Sequence, residues 1–148
     1  LKEQKSSPVI VAPDAGGAKR AQRFASLLGA PMIMLEKTRS LEKIHVVEHM
    51  KLIGSSEGKE AVIIDDLVTS GQTLVKAAVA LKEEGAQKVI ACVTHPVFID
   101  TTRKNLENSD IDAIYITDTI PLPKEYMFDK LHVLSVAPLL AEAILKTR

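Results

Sequence analysis

The stretch Val62-Ile63-Ile64-Asp65-Asp66-Leu67-Val68-Thr69-Ser70-Gly71-Gln72-Thr73 holds the groups best suited to chemistry. An apolar run ends in two adjacent carboxylates, and hydroxyls and a glycine then lead into a helical pattern. The start of a helix exposes unpaired N–H groups at the positive end of its dipole, which suits a phosphate. Thr69, Ser70 and Thr73 add hydroxyl donors, and Gly71 permits close backbone approach. Asp65 and Asp66 are poor phosphate ligands. They suit sugar hydroxyls, or a divalent cation held through water. A sugar phosphate satisfies both halves of the stretch. An ordinary N-cap at Thr69 or Ser70, beside an incidental acidic pair, competes with this reading; the pair's place at the end of an apolar run weighs against it.

The surrounding pattern shows what must position these groups. Pro8–Ala12, Pro31–Leu35, Ala61–Ile64, Lys88–Thr94, Ala113–Thr117 and Leu131–Ser135 are short apolar runs rich in β-branched residues, the signature of buried strands. Val46–Ile53 suggests a short extra strand. Between these lie helical stretches at Ala18–Leu28, Thr73–Glu84, Thr101–Asn108 and Ala137–Lys146. Ala21, Phe24, Ala25 and Leu28 share one face of the first helix, with Lys19, Arg20 and Arg23 expected outside. Gly29 is a fitting stop. Glu36–His45 is charged and aperiodic, and reads as a loop or arm. The alternation predicts an α/β fold: three layers, α/β/α, around a mostly parallel sheet of five or six strands covered on both faces. Ligands of such sheets bind beyond the carboxyl ends of the strands. That directs attention to Pro13–Ala18, Glu36–His45, Asp65–Thr73 and Thr94–Asp100.

Composition narrows the class of function. The 148 residues suit one domain, 46% of them apolar and 26% charged. Nineteen Lys and Arg balance nineteen Asp and Glu, so the basic excess of a general nucleic-acid binder is missing. Two Tyr, three Phe and no Trp leave little for base stacking. The sequence has no apolar run of membrane-spanning length and no signal-peptide pattern. Cys92 stands alone, in keeping with a reducing cytoplasm. It reads as core packing. His45 and His49 are four apart without a third ligand nearby, which argues against zinc. His95 reads as a strand-end turn residue.

The acidic-pair stretch resembles the phosphoribosyl-diphosphate signature of type I phosphoribosyltransferase folds. Val11-Ala12-Pro13-Asp14-Ala15-Gly16-Gly17-Ala18-Lys19-Arg20-Ala21 resembles the PDxGGxxRA segment of the ribose-phosphate pyrophosphokinase family. Lys37-Thr38-Arg39 follows the second strand, where that family carries a Lys-x-Arg arm. Thr94-His95-Pro96-Val97-Phe98, Thr119-Ile120-Pro121 and the run from Ser135 to Ile144 match further segments in order. The resemblance spans essentially all 148 residues and is to the C-terminal half of a two-half enzyme. Leu rather than Met at position 1, and a tail stopping at Arg148, fit a single domain, 1–148, drawn from a longer chain.

The resemblance implies transfer of diphosphate from ATP to the anomeric hydroxyl of ribose 5-phosphate, with Mg²⁺. Asp65 and Asp66 would bind the ribose hydroxyls, and Thr69, Ser70, Gly71, Gln72 and Thr73 the 5-phosphate. Lys37 would stabilise the transferred group, and Arg39 would contact substrate. Asp14 would bind Mg²⁺, and Gly16 and Gly17 would pass close to the diphosphate. An N-terminal homologous half-domain and self-association into an oligomer are implied partners, with the isolated chain inactive or weak. Gln72 stands where many family members carry Gly, and Thr69 where some carry Asp. Two alternatives share the phosphate loop. One is a small phosphoribosyltransferase; the other is a non-catalytic regulatory subunit that binds sugar phosphates. On the residues alone, Lys37 and Arg39 also fit a solvated loop, and Asp14 fits a helix N-cap.

Overall fold

The computed structural model describes residues 8–40 and 47–147, without the side chains of 37–40 and 47–49. β-Branched and apolar runs form strands β1 (Val9–Ala12), β2 (Met32–Ser40), β3 (Val47–Ile53), β4 (Glu60–Val68), β5 (Lys88–Pro96), β6 (Ala113–Thr117) and β7 (Leu131–Leu134). Helices α1 (Ala18–Leu28), α2 (Gln72–Glu83), α3 (Thr102–Glu107) and α4 (Ala137–Lys146) alternate with them. The strands make one seven-stranded sheet in the order β3-β2-β1-β4-β5-β6-β7. All pairs are parallel except β2 with β3. The extra strand expected after Val46 is β3. The expected loop at Glu36–His45 is instead strand as far as Ser40, because β3 supplies an antiparallel partner for Leu35–Ser40. Charge and missing periodicity disguised a ribbon whose pairing runs through the backbone.

Strand alternation divides the core. Val9, Val11, Ile63, Ala91 and Ile114 face the layer built by α2 and α3, where Leu74, Leu81 and Leu106 are fully or almost fully buried. Ile10, Ala12 and Ile64 face Ala21 and Ala25 of α1. Small alanines let α1 lie close to the sheet, and Gly29 ends it in the left-handed conformation, φ 62°. Coverage of the two faces is unequal, contrary to the expectation of full cover. On the α1 side an apolar cavity of about 310 Å³ opens over β4 to β7, lined by Phe24, Ile64, Cys92, Tyr115 and Leu134 among others. Every residue of α4 is exposed, with Leu139 at 68% and Leu145 at 69%.

Chain direction sets the place of the site. Progress outward from β1 runs through β2 and β3 on one side and β4 to β7 on the other. The crevice at such a switch point lies beyond the carboxyl ends of the central strands. Asp14 follows β1, and Asp65 and Asp66 lie in the outer part of β4.

Candidate functional site

Asp65 is two residues beyond Ile63, which pairs with Val11 of β1. Its side chain is 19% exposed and that of Asp66 is 61% exposed. Asp65 Oδ1 accepts the Asp66 N–H at 2.9 Å. Burial pushes the Asp65 carboxyl above its usual range; the Asp66 N–H opposes this, the Asp66 carboxylate adds to it, and Arg20 opposes it.

Arg20 is the residue that the sequence reading placed outside and the fold turns inward. It extends from the first turn of α1 and donates from Nη1 to Asp65 Oδ1 at 3.0 Å and from Nη2 to Asp66 Oδ2 at 2.5 Å. One guanidinium fork thus spans both acids. The available signal was its place in the Gly-Gly-x-x-Arg run, one turn into a helix packed against β1 and β4.

The loop after β4 forms a small cup of about 70 Å³, lined by Asp65 and by the run from Leu67 through Leu74. The left-handed residue is Gly71, φ 76°, which caps α2. Gln72 is therefore the first helical residue, and its departure from glycine leaves the loop's backbone path intact. Among the described residues no side chain caps α2, so its first turn opens onto the cup. The N-cap role considered for Thr69 or Ser70 is not realised; Ser70 Oγ accepts only a long contact from the Gln72 N–H, at 3.4 Å.

The loop is braced from behind by α3, a support that sequence reasoning missed. Thr102 Oγ1 donates to the Thr69 carbonyl and accepts the Ile99 N–H at 2.9 Å. Asn105 Nδ2 donates to the Ser70 carbonyl at 2.8 Å. Leu106 lies where a Cβ on Gly71 would fall, with Cδ2 at 2.7 Å. Thr102, Asn105 and Leu106 are spaced three and four apart on one helix face, which was visible without showing what that face would meet.

Asp14 has extended backbone and accepts the Gly17 N–H on Oδ1 at 3.0 Å, so it caps the 3-10 turn Ala15–Gly17. A Cβ on Gly16 would lie 3.2 Å from that oxygen. Lys37 and Arg39 lie on the ribbon part of β2, opposite Met50 and Glu48, and their side chains are outside the described residues. So are His45 and the side chain of His49. Thus Asp65 joins the loop Thr69–Thr73 in lining the cup, the Arg20 fork ties Asp66 to Asp65, and Asp14 follows the end of the neighbouring strand. His95 Nδ1 and Thr119 Oγ1 are 2.9 Å apart, tying the ends of β5 and β6. Cys92 is half-buried, packs against the α1-side core as expected and also lines the open cavity, and burial pushes its thiol pKa up. Another cavity, about 560 Å³, lies between α2 and α3 and shares only Gln72 with the cup, so it is separate from this chemistry.

The family model of the phosphoribosyl synthetase-associated domain matches residues 30–148. A ribose-phosphate pyrophosphokinase of Thermosipho africanus is 48% identical over 151 residues, covering 100% of this chain and 46% of that protein. One from Caldanaerobacter subterraneus subsp. tengcongensis is 46% identical, covering 98% and 45%. The crystal structure of phosphoribosylpyrophosphate synthetase from Mycobacterium smegmatis has a TM-score of 0.85 at 33% identity, covering 96% of this chain and 45% of that one. Adenine phosphoribosyltransferase from Thermoanaerobacter pseudethanolicus, TM-score 0.53 at 24% identity, covering 77% of this chain and 72% of that one, shares the fold. The chain spans about half the length of the curated relatives it matches.

Proposed function

The chain belongs to the phosphoribosyl synthetase-associated domain family, and from that membership we propose that it is the ribose-5-phosphate-binding catalytic half of a ribose-phosphate diphosphokinase. The complete enzyme transfers diphosphate from ATP to the C1 hydroxyl of ribose 5-phosphate. One observation carries the proposal: Asp65 belongs both to the forked acid pair and to the rim of the cup. A pentose phosphate bridges these two features. Asp65 and Asp66 take the ring hydroxyls, while the amides and hydroxyls of Thr69–Thr73 take the 5-phosphate. Lys37 neutralises the transferred group as its charge develops, and Arg39 contacts substrate.

Mg²⁺ fits the donors at hand. Among the described residues there is no group of three His, Cys, Asp or Glu that could hold a metal. Magnesium is commonly held by one or two carboxylates together with substrate phosphates and waters. Asp14 keeps its second oxygen for that purpose while the first caps the turn. Magnesium supplies charge neutralisation on the diphosphate, near which Gly16 and Gly17 keep the chain slim.

The partner is an N-terminal homologous half-domain, supported by relatives of twice this length and by the apolar surface of α4 and of β5 to β7. Assembly into a homo-oligomer and a cytoplasmic setting complete the proposal. Among the described residues no helix is long and apolar enough to cross a membrane. Neither a base-transferring enzyme nor a non-catalytic subunit draws support from the site, and the 24% likeness concerns the fold alone.

Calorimetric titration tests the proposal. Ribose 5-phosphate should bind the chain more tightly than inorganic phosphate or ribose, and Asp65→Asn should remove the advantage over phosphate. The protein carrying both halves should convert ATP and ribose 5-phosphate to phosphoribosyl diphosphate. A folded chain that leaves ribose 5-phosphate unbound, or a folded two-half protein without turnover, overturns it.

A further inference from the structure

We propose that Arg20 is a positioning residue that makes the site select a sugar carrying two neighbouring hydroxyls. This rests on the sugar-phosphate reading above and adds a residue and a selectivity to it.

The geometry is specific. Two carboxylates adjacent in sequence repel one another, and each turns about two side-chain torsions. The Arg20 fork engages one oxygen of each, Asp65 Oδ1 and Asp66 Oδ2. The fork leaves the opposite oxygens, Asp65 Oδ2 and Asp66 Oδ1, unengaged by Arg20. A guanidinium presents its N–H groups in a rigid plane, so one fork fixes both carboxylates at once. The fork is itself held: Arg20 is 29% exposed, and the next residue, Ala21, is fully buried against the sheet. Asp66 is too exposed for its ion pair to add much stability. Orientation is therefore the larger consequence of the contact.

Two fixed acceptors side by side match the two donors of a vicinal diol. A sugar lacking one hydroxyl leaves one acceptor unpaired, and a site built around a hydroxyl rejects such an analogue. Without the fork the carboxylates turn toward water, and the missing hydroxyl then matters less. The 5-phosphate sits on the amides and hydroxyls of Thr69–Thr73, to which Arg20 makes no hydrogen bond, so its binding is independent of Arg20.

The test compares dissociation constants of the 148-residue chain for ribose 5-phosphate, 2-deoxyribose 5-phosphate and inorganic phosphate, in wild type, Arg20→Gln and Arg20→Lys. Wild type should prefer the ribose compound by about tenfold or more. Arg20→Gln should reduce that preference to about threefold or less while phosphate affinity holds. Arg20→Lys keeps the charge without the fork and should lose most of the preference too. A far-UV spectrum matching wild type confirms the fold, and either variant alone suffices for the comparison. An unchanged preference, or an equal loss of affinity for all three ligands, overturns the role of Arg20. Failure of wild type to bind ribose 5-phosphate overturns the sugar-phosphate reading itself, and the role of Arg20 with it.

Discussion

Replacing Gly71 by Ala introduces two separate costs. The backbone there has φ 76°, and a residue with a Cβ loses about 1–2 kcal/mol in that left-handed region. The new Cβ would also lie 2.7 Å from Leu106 Cδ2 and 2.9 Å from Cγ. Leu106 is fully buried, so it has little room to withdraw. Overpacking of this kind costs about 1–3 kcal/mol. Together the loss is about 2–5 kcal/mol. That is a large share of the roughly 5–15 kcal/mol that holds a domain folded. Gly29 supplies the control. It has φ 62° but nothing within 4 Å of an added Cβ, so Gly29→Ala meets the backbone cost alone. Urea denaturation followed by circular dichroism should therefore show Gly71→Ala less stable than Gly29→Ala by about 1–3 kcal/mol. In a Leu106→Ala background the extra loss should disappear, since the clashing atoms are gone. Equal losses for the two single variants would refute the close approach of α3 to the loop.

Thr102→Val removes a fully buried hydroxyl that serves both the Ile99 N–H and the Thr69 carbonyl, and should cost about 1–3 kcal/mol by thermal melting while weakening phosphate in the cup. Burial works to raise the Asp112 carboxyl, but the Val89 N–H and Lys82 outweigh it and hold the pKa below 3.8. Its stabilisation is thus complete above the unfolded value and fades as pH falls through the lower folded one, so the stability gap between wild type and Asp112→Asn should close in acid. Solvent keeps that gap below about 1 kcal/mol at neutral pH. Leu139→Lys and Leu145→Lys should change the melting of the isolated chain by less than about 0.5 kcal/mol, because both leucines are exposed. Lys37→Ala in the two-half protein should depress kcat far more than it raises KM for ribose 5-phosphate, as fits a charge acting on the transferred group.

The alternation of apolar runs with helical stretches made the α/β class legible, because parallel strands buried on both faces have no polar alternation to hide them. The acid pair and hydroxyl-glycine loop were legible for a related reason: all their groups come from one continuous segment. What escaped notice arises between segments. Arg20 has the pattern of a surface cation, and only the packing of Ala21 and Ala25 on β1 and β4 aims it at Asp65 and Asp66. Thr102 and Asn105 look like ordinary polar residues until α3 is placed behind the loop. The ribbon at Leu35–Ser40 depends on pairing with β3 and carries no hydrophobic period of its own. The open face over β5 to β7 was equally invisible, since an apolar strand reads alike whether or not a helix covers it.

The grip of α3 on two loop carbonyls has a directional consequence. A peptide unit is planar and trans, so its C=O and N–H point in opposite senses. Drawing the Thr69 and Ser70 oxygens back toward Thr102 and Asn105 swings the amide hydrogens of Ser70 and Gly71 forward, away from α3. Those dipoles are thus aimed ahead of any ligand's arrival, and their polarity belongs to the main chain, where neither a proton nor a rotamer can reverse it.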